Sequence, residues 1–253
     1  MKKITTTLMA CVLANFLFSN SALAETERVK PNKFMAERAE PFYHPTFRLF
    51  ANYDYVMTNP SALNDYRATT LWNSTTVAQG TFGGMNGFSV GGSYLLGPGY
   101  LGVEYAFASQ ELSNTTIAAS TTSVHDTFDY QTVYGVYDLA YDINETSSYE
   151  FGGGIGYALN YQFHNIFTNG GTTEDVLWSS NPIVFKVRGY YNYHFSENIR
   201  ARVGASYEYA TSDNLTSDSA HPTVGTGIIS GQAFGHVVNM SGVRLSAGIV
   251  ITL

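Results

Sequence analysis

The chain of 253 residues is short of charge: Asp, Glu, Lys and Arg together make up 13% of it, where a soluble domain carries about 25%. A water-soluble protein of this size needs a charged skin, and this one has too little to cover itself. Long hydrophobic runs are missing too. The longest apolar stretch is residues 8–18, well short of the ~20 residues that a membrane-crossing helix needs, so helical spans are excluded. Basic residues are outnumbered 13 to 20 by acidic ones and form no patch, which removes nucleic acid and acidic polymers as partners. Proline is scarce, at 7, and no triplet repeat occurs, so collagen-like and disordered chains are excluded as well. The single cysteine, Cys11, lies near the N-terminus. What the chain does have is aromatic content, with 19 Tyr, 16 Phe and 2 Trp, and 24 glycines at a mean hydropathy of −0.08.

The first 24 residues read as a secretory signal peptide. Lys2 and Lys3 supply the positive start, residues 8–18 the apolar segment, and Ala22-Leu23-Ala24 a small-x-small cleavage motif, with cleavage expected before Glu25. Removing this segment takes Cys11 with it, which suits export through an oxidising compartment. Leu8-Met9-Ala10-Cys11 also has a faint likeness to a lipoprotein box, but the apolar stretch before the cysteine is too short to favour lipidation. Residues 25–45 are polar, contain Pro31, Pro41 and Pro45, and form an irregular periplasmic lead-in.

From residue 46 onward, eight segments of about ten residues alternate apolar with polar or small side chains, the period of strands with two unlike faces. Phe47, Leu49, Ala51, Tyr53, Tyr55 and Met57 oppose Arg48, Asn52 and Asp54 in the first. Phe151, Ile155, Tyr157, Leu159 and Tyr161 oppose Glu150, Gly152, Gly154, Gly156, Ala158 and Asn160 in the fifth. Connections after segments two, four and six are short: Gly97-Pro98-Gly99, residues 142–147 and Ser196-Glu197-Asn198. Those after one, three, five and seven are long and rich in Ser, Thr, Asn and Gly. The expected fold is therefore all-β, an eight-stranded antiparallel transmembrane β-barrel over residues 46–253, with four long outer loops and three short periplasmic turns.

Periodicity alone does not choose the solvent, because soluble barrels alternate too. The placement of charge does. Without Lys2 and Lys3 there remain 11 basic and 20 acidic residues, a net of −9. Eleven charges fall on the polar strand faces: Arg48, Asp54, Glu104, Asp138, Glu150, Lys186, Arg188, Arg200, Arg202, Glu208 and Arg244. They form the expected lumen charge network. Asp65, Glu111, Asp126, Asp129, Glu174, Asp175, Asp213, Asp218 and Arg67 go to the long loops or their rims, and none goes to an apolar face. Those faces carry the expected lipid-facing aromatics Tyr53, Tyr55, Tyr94, Tyr105, Phe107, Tyr157, Tyr161, Tyr191, Tyr193, Tyr207 and Tyr209, in the manner of interfacial girdles. A cation at the bilayer midplane costs about 2–4 kcal/mol, so lipid would enforce this exclusion.

With these features together, residues 46–253 resemble the small eight-stranded bacterial outer-membrane proteins of the OmpA, OmpX and OmpW type. The resemblance is architectural and rests on no sequence motif. It implies an outer-membrane location, with membrane lipid, lipopolysaccharide and the outer-membrane assembly machinery as partners. It also implies an assembly signal at the last residue, where that class usually has an aromatic and this chain has Leu253.

Function is less legible. Six basic and five acidic inward residues in a barrel just wide enough to be filled point to a salt-bridged lumen with a structural, envelope or surface-interaction role. The inward glycines 87, 91, 152, 154, 156 and 204 leave a narrow ion path as the alternative. Outward Gly92, Gly153, Ala201 and Ala205 permit close packing, which leaves a porin-like homo-oligomer enclosing lipid as a further alternative to lipid filling those gaps. The six histidines, His44, His125, His164, His194, His221 and His236, are dispersed. His125-Asp126 is placed in a loop with no matched nucleophile, and His194 and Ser196 at the periplasmic end, so an outer-membrane lipid-modifying enzyme is only the third reading, and no catalytic residue, metal site or cofactor is expected. The loop acids are read as solvated, with divalent cations at a lipopolysaccharide surface as the alternative.

Overall fold

The computed structural model describes residues 46–67, 80–116, 122–169, 172–212, 215–217 and 238–253. The signal peptide and the lead-in lie outside the described residues. Eleven strands and one short helix are described: β1 (Phe47–Thr58), α1 (Ser61–Tyr66), β2 (Gly84–Leu96), β3 (Gly99–Thr116), β4 (Thr122–Asn144), β5 (Ser147–Asn169), β6 (Thr172–Ser180), β7 (Ile183–His194), β8 (Ile199–Ser212), β9 (Thr216–Ser217), β10 (Val238–Asn239) and β11 (Gly242–Thr252).

Every pairing is antiparallel, and the sheet closes on itself. The order β1-β2-β3-β4-β5-β7-β8-β11 returns to β1, whose Tyr53 stands opposite Ala247 of β11. Closure removes the edges that would otherwise leave backbone N–H and C=O groups unpaired in an apolar medium. β6 and β7 both pair with β5 and form one stave interrupted at Asn181-Pro182. The stave count is therefore eight.

The start of β1 and the end of β11 meet at one end of the barrel, where the Leu253 N–H donates to the Phe47 carbonyl at 2.9 Å. The three tight turns share that end. Gly97 adopts φ +62°, which L side chains rarely take. Asn144 Oδ1 accepts from the Thr146 N–H at 2.9 Å and closes the second turn, and Ser196 Oγ accepts from the Ile199 N–H at 3.1 Å in the third.

The opposite end departs from the sequence expectation. Two of the four regions expected as long loops are mostly strand: β3 runs on to Thr116 and β4 starts at Thr122, while β5 reaches Asn169 and β6 occupies Thr172–Ser180. β3, β4, β5 and β6 thus rise together as a four-stranded wall. Polar outward residues there hid the strand character, because the sequence reading looked for apolar outward faces.

Candidate functional site

The lower lumen, toward the three turns, is built from inward positions of all eight staves. Ten of its eleven charged side chains form a single unbranched series of ion pairs. Arg202 Nη2 meets Glu150 Oε2 at 2.6 Å, and Glu150 Oε1 meets Arg48 Nη1 at 2.5 Å. Arg48 reaches Asp138 at 3.3 Å, and Asp138 takes Arg188 Nη2 at 2.5 Å. Arg188 pairs with Glu104, which holds Lys186 Nζ at 2.5 Å. Lys186 meets Glu208 at 2.9 Å, Glu208 meets Arg244 Nε at 2.8 Å, and Arg244 ends the series on Asp54 at 2.9 Å.

Five cations and five carboxylates alternate, so the series is neutral and each interior member has an opposite charge on both sides. This matters because an unpaired ion taken out of water costs several kcal/mol. The two end members borrow neutral partners: Arg202 Nε donates to Asn192 Oδ1 at 3.1 Å and Ser246 Oγ to Asp54 Oδ1 at 2.6 Å. Aromatic faces cover the cations, with Arg48 3.6 Å from the Tyr100 ring centroid and Lys186 4.0 Å from that of Tyr134. Every side chain of the ten is 0–2% exposed. Arg200, the eleventh, is buried but outside the series, and its Nε has no hydrogen-bond partner among the described residues. The inward glycines make room for this packing, since a Cβ at Gly204 would strike the Tyr190 ring and one at Gly152 the Asp138 carboxylate.

The upper lumen is apolar. Leu63 of α1 and Phe82, Met85, Phe128, Phe163, Val176, Trp178, Val238 and Met240 are buried in one cluster. Trp178 stacks on Phe163 with centroids 5.3 Å apart, while Phe82 meets Phe128 and Phe163 edge-on at 6.1 and 5.9 Å. Among the described residues, one ion pair lies within it. Arg67, directly after α1, meets Asp126 Oδ2 at 2.6 Å, donates to the Gly80 carbonyl at 3.0 Å and covers the Phe82 ring, and Asp126 also accepts from Asn165. The expectation of solvated loop charges is therefore corrected for Arg67 and Asp126: both are buried, and Asp126 belongs to β4. Sequence spacing missed this pair because its partners are 59 residues apart.

Tyr161 is also corrected. Expected to face lipid, it is fully buried in the plug and its hydroxyl donates to the Val238 carbonyl at 3.0 Å. The cause is a β-bulge. Between Gln131 and Thr132 of β4 the pairing skips a residue on β5, from Asn160 to Ala158, and one extra residue exchanges the two faces of a strand. Below the bulge the even-numbered residues of β5 point inward, and above it Tyr161, Phe163 and Asn165 do.

The other ten aromatics expected to face lipid lie on the outward face. Tyr53, Tyr55, Tyr94, Tyr157, Tyr191, Tyr193, Tyr207 and Tyr209 are exposed, and Tyr105 and Phe107 are half-buried. Leu253 is exposed at the same end as the turns. The outward face changes character partway up. Val103, Tyr105 and Phe107 of β3 give way to Ser109, Glu111 and Ser113; Tyr137 and Val133 of β4 give way to Gln131, Asp129, Thr127 and His125; and beyond Leu159 of β5 come Gln162 and His164. An apolar band thus ends at one level, and the wall above it is polar outside and apolar inside.

The corrected position of His125 puts it on β4 beside β3, where its Nδ1 lies 2.8 Å from Ser113 Oγ and 3.4 Å from Glu111 Oε1. Nucleophile activation needs the hydroxyl and the carboxylate on opposite ring nitrogens. Here both approach Nδ1, so the trio is not a catalytic triad. His194 Nε2 lies 3.1 Å from Ser148 Oγ, a buried hydroxyl at the turn end of the barrel.

No family model and no curated protein matches the chain. Solved structures do. Neisserial surface protein A is similar at 14% identity and a TM-score of 0.43, over 82% of this chain and 97% of that one. Ail, the attachment invasion locus protein of Yersinia pestis, solved in complex with the heparin analogue sucrose octasulfate, is similar at 13% identity and a TM-score of 0.40, over 81% and 99%. The outer membrane protein OprG from Pseudomonas aeruginosa is similar at 8% identity and a TM-score of 0.43, over 83% and 96%.

Proposed function

We propose that the chain is an integral outer-membrane barrel that carries no solute through its lumen and serves the envelope as a structural or surface-interaction element. The observation that carries this reading is the neutral ten-member series of buried ion pairs across the lower lumen, closed from above by the apolar plug. An ion passing that level must break at least one pair whose members have no water to turn to. The apolar outward band, bordered by tyrosines, suits lipid as the outer solvent. Lipopolysaccharide beside the band and the outer-membrane assembly machinery are the partners this reading assigns; it assigns no reaction and no cofactor.

The test is reconstitution of the refolded chain in planar bilayers at both polarities. A silent membrane is expected, and regular stepwise conductance in proportion to inserted protein overturns the reading in favour of a narrow channel. A homo-oligomer is the second reading. It is favoured by small outward residues on adjoining staves, Gly153 on β5 and Gly189 on β7 opposite Ala205 on β8, which let two barrels approach closely. Native mass spectrometry from mild detergent decides it: a monomer alone removes this second reading.

A further inference from the structure

The outward face of the wall carries a second group of titratable side chains, away from the lumen. Strand register places Ser113, His125, Ile166 and Asp175 in one row across β3, β4, β5 and β6, and Glu111, Thr127, His164 and Leu177 in the next. Glu111, His125, His164 and Asp175 therefore zigzag between the two rows, each one cross-strand diagonal from the next. Two of these diagonals are bridged: His164 Nε2 lies 2.6 Å from Asp175 Oδ1, and His125 Nδ1 lies 3.4 Å from Glu111 Oε1. The third and central diagonal separates the two histidines. All four side chains are 36–62% exposed, above the level where the apolar band ends.

His164 has committed Nε2 to Asp175 and keeps Nδ1, while His125 has Nδ1 on the Ser113 hydroxyl at 2.8 Å, which in turn donates to Glu111 at 3.2 Å, and keeps Nε2. A carboxylate on the far nitrogen is the arrangement that orients a metal-binding imidazole and raises its basicity. Diagonal neighbours have Cα atoms about 7–8 Å apart, with Cβ atoms somewhat closer. Two imidazoles at that spacing span a metal that takes each nitrogen at about 2.0–2.1 Å. Among the described residues no three His, Cys, Asp or Glu side chains form a ready-made metal cage, so the arrangement is one of two ligands with open coordination positions.

We propose that His125 and His164 together bind one transition-metal dication on the outward face of the wall, with Glu111 and Asp175 as positioning residues. Imidazole donors select Zn²⁺, Ni²⁺ or Cu²⁺ over Ca²⁺ and Mg²⁺, and the two carboxylates balance the dication's charge. Water fills the remaining positions, where a donor from outside the protein can replace it.

Calorimetric titration of the refolded full chain in detergent with zinc chloride tests this. One equivalent is expected to bind. His125→Gln and His164→Gln should each weaken binding at least tenfold, and Glu111→Gln and Asp175→Asn about tenfold. Joint replacement of His44, His221 and His236 should leave the affinity unchanged. Heat-modifiable migration on gels checks that each variant is folded. Either single histidine variant binding zinc as the parent chain does, or binding lost with the triple replacement instead, overturns the proposal. A measurement that needs no variant is carbethoxylation of the unaltered protein: zinc should shield His125 and His164, and equal modification with and without zinc overturns the site.

Discussion

The lower and upper halves of this barrel are organised by opposite rules although the same staves run through both. Below, the outward face is apolar and the lumen holds ten paired charges; above, the outward face is polar and the interior holds Phe82, Phe128, Phe163 and Trp178. β4 shows the exchange without any change of phase. Its inward residues go from Asp138, Val136, Tyr134 and Thr132 to Tyr130, Phe128 and Val124, while its outward ones go from Tyr137 and Val133 to Asp129, Thr127 and His125. β5 makes the same exchange with a bulge beside Leu159 and Asn160. The proposed membrane setting would account for the inversion: with lipid around the lower barrel, polar groups would have only the lumen to go to, and with water around the wall, apolar groups would.

The largest test of this contrast is Glu104→Gln. Glu104 lies between Lys186 and Arg188, and leaving two buried cations short of a partner should cost about 3–5 kcal/mol, read from denaturant unfolding in lipid vesicles. Asp54→Asn at the end of the series, where Asp54 pairs with Arg244 alone among the described residues, should cost clearly less. Equal costs would mean that the pairs act singly and not as a series.

Phe163→Ala removes the centre of the plug, where its ring meets both Trp178 and Phe82. About 3–4 kcal/mol should be lost, with the heat-modifiable gel shift of the lower barrel retained. Loss of that shift would show that the two halves are one cooperative unit.

Val103→Arg puts a cation in the apolar band and should cost about 2–4 kcal/mol of membrane-folded stability, whereas Gln131→Arg at its upper border should cost about 0–1 kcal/mol. Similar values for the two sites would remove the border assigned here. The smallest effect is expected on the polar face of the wall, where Thr127→Ala should change stability by less than about 0.5 kcal/mol in the same unfolding assay.

The eight staves, the three turns and the inward placement of Arg48, Asp138, Glu150 and Arg188 were legible as a period-2 pattern, because an apolar face set against a charged one is unambiguous in a strand. The wall was legible only in part. Val124, Phe128 and Tyr130 alternate with Thr127, Asp129 and Gln131, but the apolar set faces inward there, so a reading tuned to lipid passes over it as loop. Nothing local announces the bulge that turns Tyr161 inward, since one unpaired residue leaves the alternation on either side intact.

The amino-acid sequence by itself determined the stave count and which strand face carries charge, since both follow from a two-residue period. Only the tertiary structure decided who pairs with whom. The order from Arg202 to Asp54, the union of Arg67 with Asp126 and the juxtaposition of His125 with His164 all depend on cross-strand register and barrel closure. Those set distances between residues dozens of positions apart, which no local period records.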